Sequence, residues 1–356
     1  MDRVYNFAAG PAVMPLPVLE RAQKEMIVYG ETGMSVMEMS HRSPMYISIY
    51  EQTERSFRDV MGIPSDYEVL FLQGGATALF SAVPLNLNVS GKADYIDSGN
   101  FAYQAAAEAS RYMTVRSVAS SRDDLYTYVP DWHGKLNSDA DYLHITTNNT
   151  IYGTRYTELP ESEVPLVADM SSNILSEVYD VSKFGVIYAG AQKNIGPAGL
   201  VVVIIRKDLL GHASDICPKL MNWTLQVPEQ SMINTPNTYG IYMAGLCFDW
   251  LRDIGGVAVM EQINIQKAKL IYDFLDESKL FRGRAQSAFR SRMNITYTTD
   301  DEALDDEFVV EAEKAGMVNL RGHRLAGGMR ASIYNAMSVE GVEALVQFMK
   351  EFEAKH

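Results

Sequence analysis

Apolar and polar positions along the chain follow first a helical period and then an alternation of short apolar runs with helical stretches. Residues 15–30 read as a helix, with prolines at the start and Gly30 at the stop. A second helix is predicted with Ser43 as N-cap and Pro44 as first residue. Ile47, Tyr50, Phe57, Val60 and Met61 supply its apolar face, and Gly62 and Pro64 end it. Further on, β-prone runs at 68–72, 93–97, 142–146, 165–169, 185–190 and 200–206 are separated by helical or loop stretches such as 76–87 and 101–112. Such alternation predicts an α/β fold around a mostly parallel sheet.

A long helix is predicted over 238–253, broken by Gly255 and Gly256, and helical periodicity resumes through 261–274. The pattern then changes to a strand at 293–298, an acidic helix over 301–315, a strand at 329–334 and a final helix capped by Ser338, which together suggest a small α+β domain. The expected division is a large domain at 16–258 and a smaller C-terminal one at 259–356, joined by the N-terminal segment 1–15. No fixed-period repeat is visible. The acid pairs Asp123/Asp124, Asp300/Asp301 and Asp305/Asp306 read as solvated surface, since nothing nearby completes a metal site.

Composition narrows the function. The 356 residues are 47% hydrophobic and 21% charged, as in an ordinary globular protein of about two domains. The net charge of −14 opposes binding to nucleic acid or to anionic membranes, so any anionic ligand needs a local basic cluster. Cys217 and Cys247 make no disulfide framework and no CxxC pair. The first residues lack the apolar run of a signal peptide, and the longest aliphatic run, 200–205, is too short to span a bilayer. A cytoplasmic location is the expectation. The six histidines show no metal-ligand spacing, and neither a GxGxxG turn after a strand nor a P-loop occurs, so no metal and no nicotinamide cofactor is expected.

In an open α/β sheet ligands sit at the carboxyl ends of strands, so polar residues just after apolar runs are the candidates. Gln73, Gly74, Gly75, Ala76 and Thr77 form a strand-to-helix turn whose free N–H groups suit a phosphate, or else a plain tight turn. Asp169 ends another run and is a metal ligand, a helix cap or the partner of a cationic ring nitrogen. Lys193 follows a third, in small uncharged surroundings; such a lysine is either a solvated surface residue or an amine whose pKa desolvation lowers. Gly327, Gly328, Met329 and Arg330 follow His323 and Arg324, as a basic surface loop or a carboxylate clamp. Together the four are what a pyridoxal phosphate enzyme needs: a phosphate cradle, a Schiff-base lysine, a carboxylate for the pyridine nitrogen and an arginine fork.

Residues 186–200, around Ala191-Gln192-Lys193-Asn194, resemble the cofactor-lysine segment of the phosphoserine aminotransferase family, within the class-V aminotransferases. Segments 6–12, 35–42, 168–172, 234–236 and 322–336 agree with it in family order. The resemblance implies an aspartate-aminotransferase-like fold (pyridoxal-phosphate fold type I), with a large, mostly parallel domain and a smaller α+β one. It makes Lys193 the lysine that bonds the cofactor and Asp169 the partner of the pyridine nitrogen. Ala76, Thr77 and Gln192 would hold the phosphate, together with Asn234 and Thr235 across a homodimer interface, and Thr150 would lie near the ring hydroxyl. Phe101 stands where many relatives carry a stacking tryptophan, and Thr77 where some carry arginine. Arg330 would take the substrate α-carboxylate, while His41, Arg42, His323 and Arg324 would surround its second anion. The implied reaction transfers the amino group of L-glutamate to 3-phosphooxypyruvate, for serine synthesis and, in relatives, pyridoxine synthesis. The alternatives are another class-V enzyme, of the alanine or serine glyoxylate type or a cysteine desulfurase, and a non-catalytic binder of the same fold.

Overall fold

The computed structural model describes residues 3–356; of the expected joining segment, Met1 and Asp2 lie outside the described residues. The chain opens with β1 (Tyr5–Asn6), α1 (Leu16–Glu25) and α2 (Pro44–Met61). A seven-stranded sheet follows, built from β2 (Tyr67–Gln73), β3 (Lys92–Asp97), β4 (Thr114–Ser120), β5 (Leu143–Thr146), β6 (Leu166–Asp169), β7 (Val186–Gly190) and β8 (Leu200–Arg206). Its spatial order is β2-β8-β7-β6-β5-β3-β4. Only β8 runs against the others, so the sheet is mostly parallel.

The central strands are apolar at nearly every position because both faces are covered. On β8, Val201, Val203 and Ile205 pack toward α3 (Ala76–Asn86) and α4 (Asn100–Ala109). Leu200, Val202 and Ile204 pack on the other face, in the core that α2 shares with a helix further along the chain. After the short α5 (Trp223–Gln226) comes that helix, α6 (Thr238–Asp253), which lies against α2 with Phe57 stacked on Phe248 at 4.7 Å. The aligned strands end together at one edge, where β6 delivers Asp169 and β7 leads into Lys193.

The helix α7 (Gly256–Glu277) belongs to both cores: Val257 and Met260 to the first, Ala268, Ile271, Phe274 and Leu275 to the second. The expected boundary at 258/259 thus falls inside a continuous helix. Beyond it come β9 (Arg282–Gly283), β10 (Asn294–Thr298), α8 (Glu302–Lys314), β11 (Met317–Val318), β12 (Met329–Ser332) and α9 (Val339–Glu353). Strands β12, β10 and β9 form an antiparallel sheet, and β1 pairs with β11, which brings Phe7 into the second core.

Several elements depart from expectation. The first helix stops at Glu25, because Ile27 and Val28 are β-branched and exposed and nothing packs on a further turn. Strand β4 escapes the pattern because it lies at the sheet edge, where none of its residues is fully buried. The run at 329–334 ends as a strand at Ser332. Gly255 and Gly256 do break the helical path, but Gly256 already begins α7, with Gly255 at φ +109° as its cap.

The reading of all the acid pairs as solvated surface needs a correction. Asp305 is buried and accepts hydrogen bonds from Thr298 Oγ1, Thr299 N–H and Thr299 Oγ1, each at 2.8 Å, so it ties α8 to the end of β10. Replacing it with alanine strands those donors. Asp305→Ala is expected to lower unfolding stability by about 2–4 kcal/mol, read as a lower urea midpoint at unchanged slope.

Candidate active site

Lys193 lies in the turn after β7. Backbone bonds from Ile195 and Gly196 to the Ala191 carbonyl, and from Ala191 to Leu200, shape that turn. The Lys193 amine donates to Thr150 Oγ1 at 2.7 Å and lies 6.0 Å from the centre of the Phe101 ring. Burial of the amine pulls its pKa down to about 8; Asp169 opposes that shift and Arg330 reinforces it. The N-terminal segment closes over this turn. Gly10, at φ +137°, lies so close that a Cβ there would sit 3.3 Å from Gln192 Cγ and 3.4 Å from Lys193 Cγ, and Ala12 N–H donates to the Gln192 carbonyl at 2.9 Å.

Asp169 is buried at the end of β6, beside Tyr188 in the strand register. Burial raises its carboxyl pKa, while the hydrogen bonds from Ser171 and the nearby Lys193 hold it down. Ser171 N–H donates to Oδ1 at 2.9 Å. An ionised carboxylate accepts more than one such bond, so it retains capacity for a further donor. Ser171 was not among the candidates, although the Asp-x-Ser spacing signals this turn.

Ala76 and Thr77 are the first two residues of α3, and Gly75, their N-cap, provides no side chain to satisfy the free N–H groups. Gly74, at φ +118°, bends the chain into the helix. Asn234 and Thr235 stay at this rim: Asn234 Nδ2 donates to Gln73 Oε1 at 3.3 Å, and Gln73 Nε2 donates to the Thr235 carbonyl. Both are exposed, and within one chain neither hydrogen-bonds to a residue around Lys193. Phe101 is in the first turn of α4, just after Gly99, where a Cβ would collide with Asn149 Oδ1. That close approach explains the glycine, and Asn149 carried no recognisable signal in the sequence.

From the smaller sheet, Arg330 on β12 reaches over and donates from Nη1 to the Thr150 carbonyl at 3.1 Å. Thr150 therefore receives Lys193 on its hydroxyl and Arg330 on its carbonyl. Burial lowers the guanidinium pKa. Burial also lowers the pKa of His323, helped by Arg330 and Arg324, which puts the imidazole and the two guanidiniums in one electrostatic neighbourhood. His41 and Arg42 are not brought to them in a single chain. Arg42 is exposed, and His41 Nε2 is buried without a hydrogen-bond partner.

These groups fit pyridoxal phosphate. The uncapped N-terminus of α3 suits its phosphate, Asp169 a protonated ring nitrogen, the Phe101 face a planar ring and the desolvated amine an aldehyde. A surface concavity lined in part by Trp132, Glu158, Glu161 and Glu163 shares no residue with this site and is acidic, which disfavours an anion.

Comparison with known proteins agrees. The family model described as aminotransferase class-V matches residues 4–345. A phosphoserine aminotransferase of Bacillus cereus is 53% identical over 100% of both chains. The structure of phosphoserine aminotransferase from Bacillus circulans subsp. alkalophilus superposes with a TM-score of 0.97 at 43% identity, covering 100% of this chain and 99% of that one. A pyridoxal-phosphate-bound phosphoserine aminotransferase from Trichomonas vaginalis gives a TM-score of 0.94 at 39% identity over 98% and 100%.

The electrostatics predict a titration. In cofactor-free protein, acylation of Lys193 followed by peptide mass spectrometry is expected to rise through a midpoint of about 8, whereas solvated lysines titrate near about 10.4. Asp169→Asn removes the carboxylate that favours the ammonium, so the midpoint moves lower; an upward shift contradicts the assignment of charges.

Proposed function

The chain belongs to the class-V aminotransferase family, and on that footing we propose that it acts as a phosphoserine aminotransferase, moving the amino group of L-glutamate to 3-phosphooxypyruvate and giving 2-oxoglutarate and O-phospho-L-serine. The observation that carries the reading is the Lys193 amine, desolvated, fixed on Thr150 and electrostatically coupled to Asp169 and Arg330. When bound, pyridoxal phosphate supplies the aldehyde that receives the amine and a ring that takes up the electron pair of the substrate Cα–H bond.

The side chains do the rest. Asp169, a buried carboxylate, would pair with a ring nitrogen of the cofactor and favour its protonated form. Lys193 Nζ takes the proton from the substrate Cα and holds it as an ammonium until it is handed on; burial, which pulls the pKa of the cofactor-free amine down to about 8, favours the neutral base. Phe101 offers a stacking face, and Gln192 and the N–H groups of Ala76 and Thr77 would hold the phosphate. Arg330, steadied by the Thr150 carbonyl, clamps the α-carboxylate of either substrate. His323 and Arg324 meet the second anion, which is a carboxylate in glutamate and a phosphate in the acceptor.

His41, Arg42, Asn234 and Thr235 complete the pocket from a second copy, so the working form is a homodimer. Exposure of Arg42, Asn234 and Thr235 in the single chain, and of Met37 and Met45 flanking Arg42, supports this. The location is cytoplasmic, in keeping with a serine-biosynthetic role; no described helix is long and apolar enough to cross a membrane. The phosphorylated hydroxythreonine of pyridoxine synthesis carries the same pair of anions and is a second candidate substrate.

Two rivals are less well supported. A cysteine desulfurase needs an accessible thiolate, yet Cys247 is buried with its pKa pushed up to about 12, and burial raises that of Cys217 too. A glyoxylate aminotransferase has no use for the Arg324 cation and the His323 donor beside it, because glyoxylate has no second anion.

A coupled assay with glutamate is expected to favour 3-phosphooxypyruvate over glyoxylate; equal turnover of the two overturns the substrate assignment. Lys193→Ala is expected to lose at least about 100-fold in kcat. Arg330→Lys is expected to lower kcat/KM for glutamate about tenfold or more, because an ammonium does not reproduce the bidentate fork.

A further inference from the structure

We propose that Lys267 is a positioning residue whose buried ammonium pins the turn after β12 against the Lys193 segment and so fixes where the Lys193 amine sits. Lys267 lies midway along α7 and is fully buried. Its Nζ donates to the carbonyls of Ile333 at 3.0 Å, Tyr334 at 2.8 Å and Met337 at 3.0 Å. All three ammonium protons are thereby used on one turn, and no carboxylate lies within ion-pair distance among the described residues. One helical turn earlier, Asn264 Nδ2 donates to Asn335 Oδ1 and to the Ser176 carbonyl, both at 2.9 Å.

The pinned turn reaches the site along two routes. Asn335 N–H donates to Asn194 Oδ1 at 3.0 Å, and Asn194, next in sequence to Lys193, in turn donates to the Ile174 carbonyl at 3.0 Å. Tyr334 OH donates to the Ala9 carbonyl at 2.8 Å, one residue before the Gly10 that packs on the Gln192 and Lys193 side chains. Lys267 thus ties, from across the boundary between the two cores, to Asn194 beside the reactive lysine and to the N-terminal segment that packs over it. Methionine fills much of the same space but leaves three buried carbonyls without this donor, so stability is expected to fall as well. The positioning role is therefore read from kcat and from the bound cofactor's absorbance in folded protein.

The inference rests on the transaminase reading, so amino transfer from glutamate by the native, cofactor-loaded protein is the reference: its absence defeats that reading, and its presence makes the comparison meaningful. Lys267→Met is expected to fold and to bind the cofactor but to lose about tenfold in kcat, a modest share of what a proton-transferring group contributes. KM for glutamate is expected to stay within about threefold, because Arg330 is held separately by its pairing with Thr296 on β10 and by the Thr150 carbonyl. The pH midpoint of the bound cofactor's visible absorbance is also expected to move, which a general loss of stability does not produce. Lys267→Gln keeps two N–H donors and is expected to recover part of the lost kcat. Native kcat and an unmoved midpoint in folded Lys267→Met overturn the proposal. Should that variant fail to fold, native kcat and an unmoved midpoint in Lys267→Gln overturn it equally.

Discussion

Taking a primary amine out of water at the end of β7 is the constraint around which the rest of the molecule is arranged. Desolvation favours the neutral amine, Asp169 favours the ammonium and Arg330 disfavours it; burial is the largest of the three and leaves the Lys193 pKa at about 8. Each contribution requires a different part of the fold. The parallel register of β6 and β7 brings Asp169 level with Tyr188, a few residues before the lysine. The small antiparallel sheet presents Arg330, and Thr150 receives both the amine and the guanidinium. A shift of either core relative to the other therefore disturbs the amine directly.

The same arrangement explains how a chain of net charge −14 suits small anions. Most arginines of the outer surface are matched with carboxylates, as in Arg21 with Glu25, Arg206 with Asp208 and Arg252 with Asp249. Exposed pairs of this kind add little stability, but they neutralise cations away from the site. Arg324 and Arg330 have no such partner among the described residues, and they share their surroundings with His323. The excess acid keeps the exterior from gathering polyanions, while Arg324 and Arg330 stay free to meet a small anion.

Much of the architecture was legible because it follows from local pattern. The doubly covered strands read as apolar runs, the turn residues marked their ends, and the carboxyl-end rule pointed to Asp169, Lys193 and the turn before Ala76. Arg330 and Lys193 are both recognisable in the sequence, but the contact that joins them, Thr150, is more than 40 residues from either, and no spacing rule reaches across that separation. What escaped was decided by tertiary packing. Asp305 looks like any surface acid until α8 folds it under β10, and Asn149 matters only because Gly99 lets it approach. Lys267 sits in a helix that reads as ordinary, and its three carbonyl partners lie more than 60 residues away.

The most direct measurement follows the nitrogen atom. Cofactor-loaded protein is mixed with one equivalent of 15N-labelled glutamate, freed of small molecules, and then given unlabelled 3-phosphooxypyruvate. The account predicts that 2-oxoglutarate is released in the first step without any acceptor, that the label stays with the protein, and that it leaves in the second step as 15N-phosphoserine, with Asp169→Asn and Lys193→Ala failing at the first step. Retention of the amino group by glutamate until the acceptor is added, or label transfer by the Lys193→Ala protein at the native rate, would contradict it.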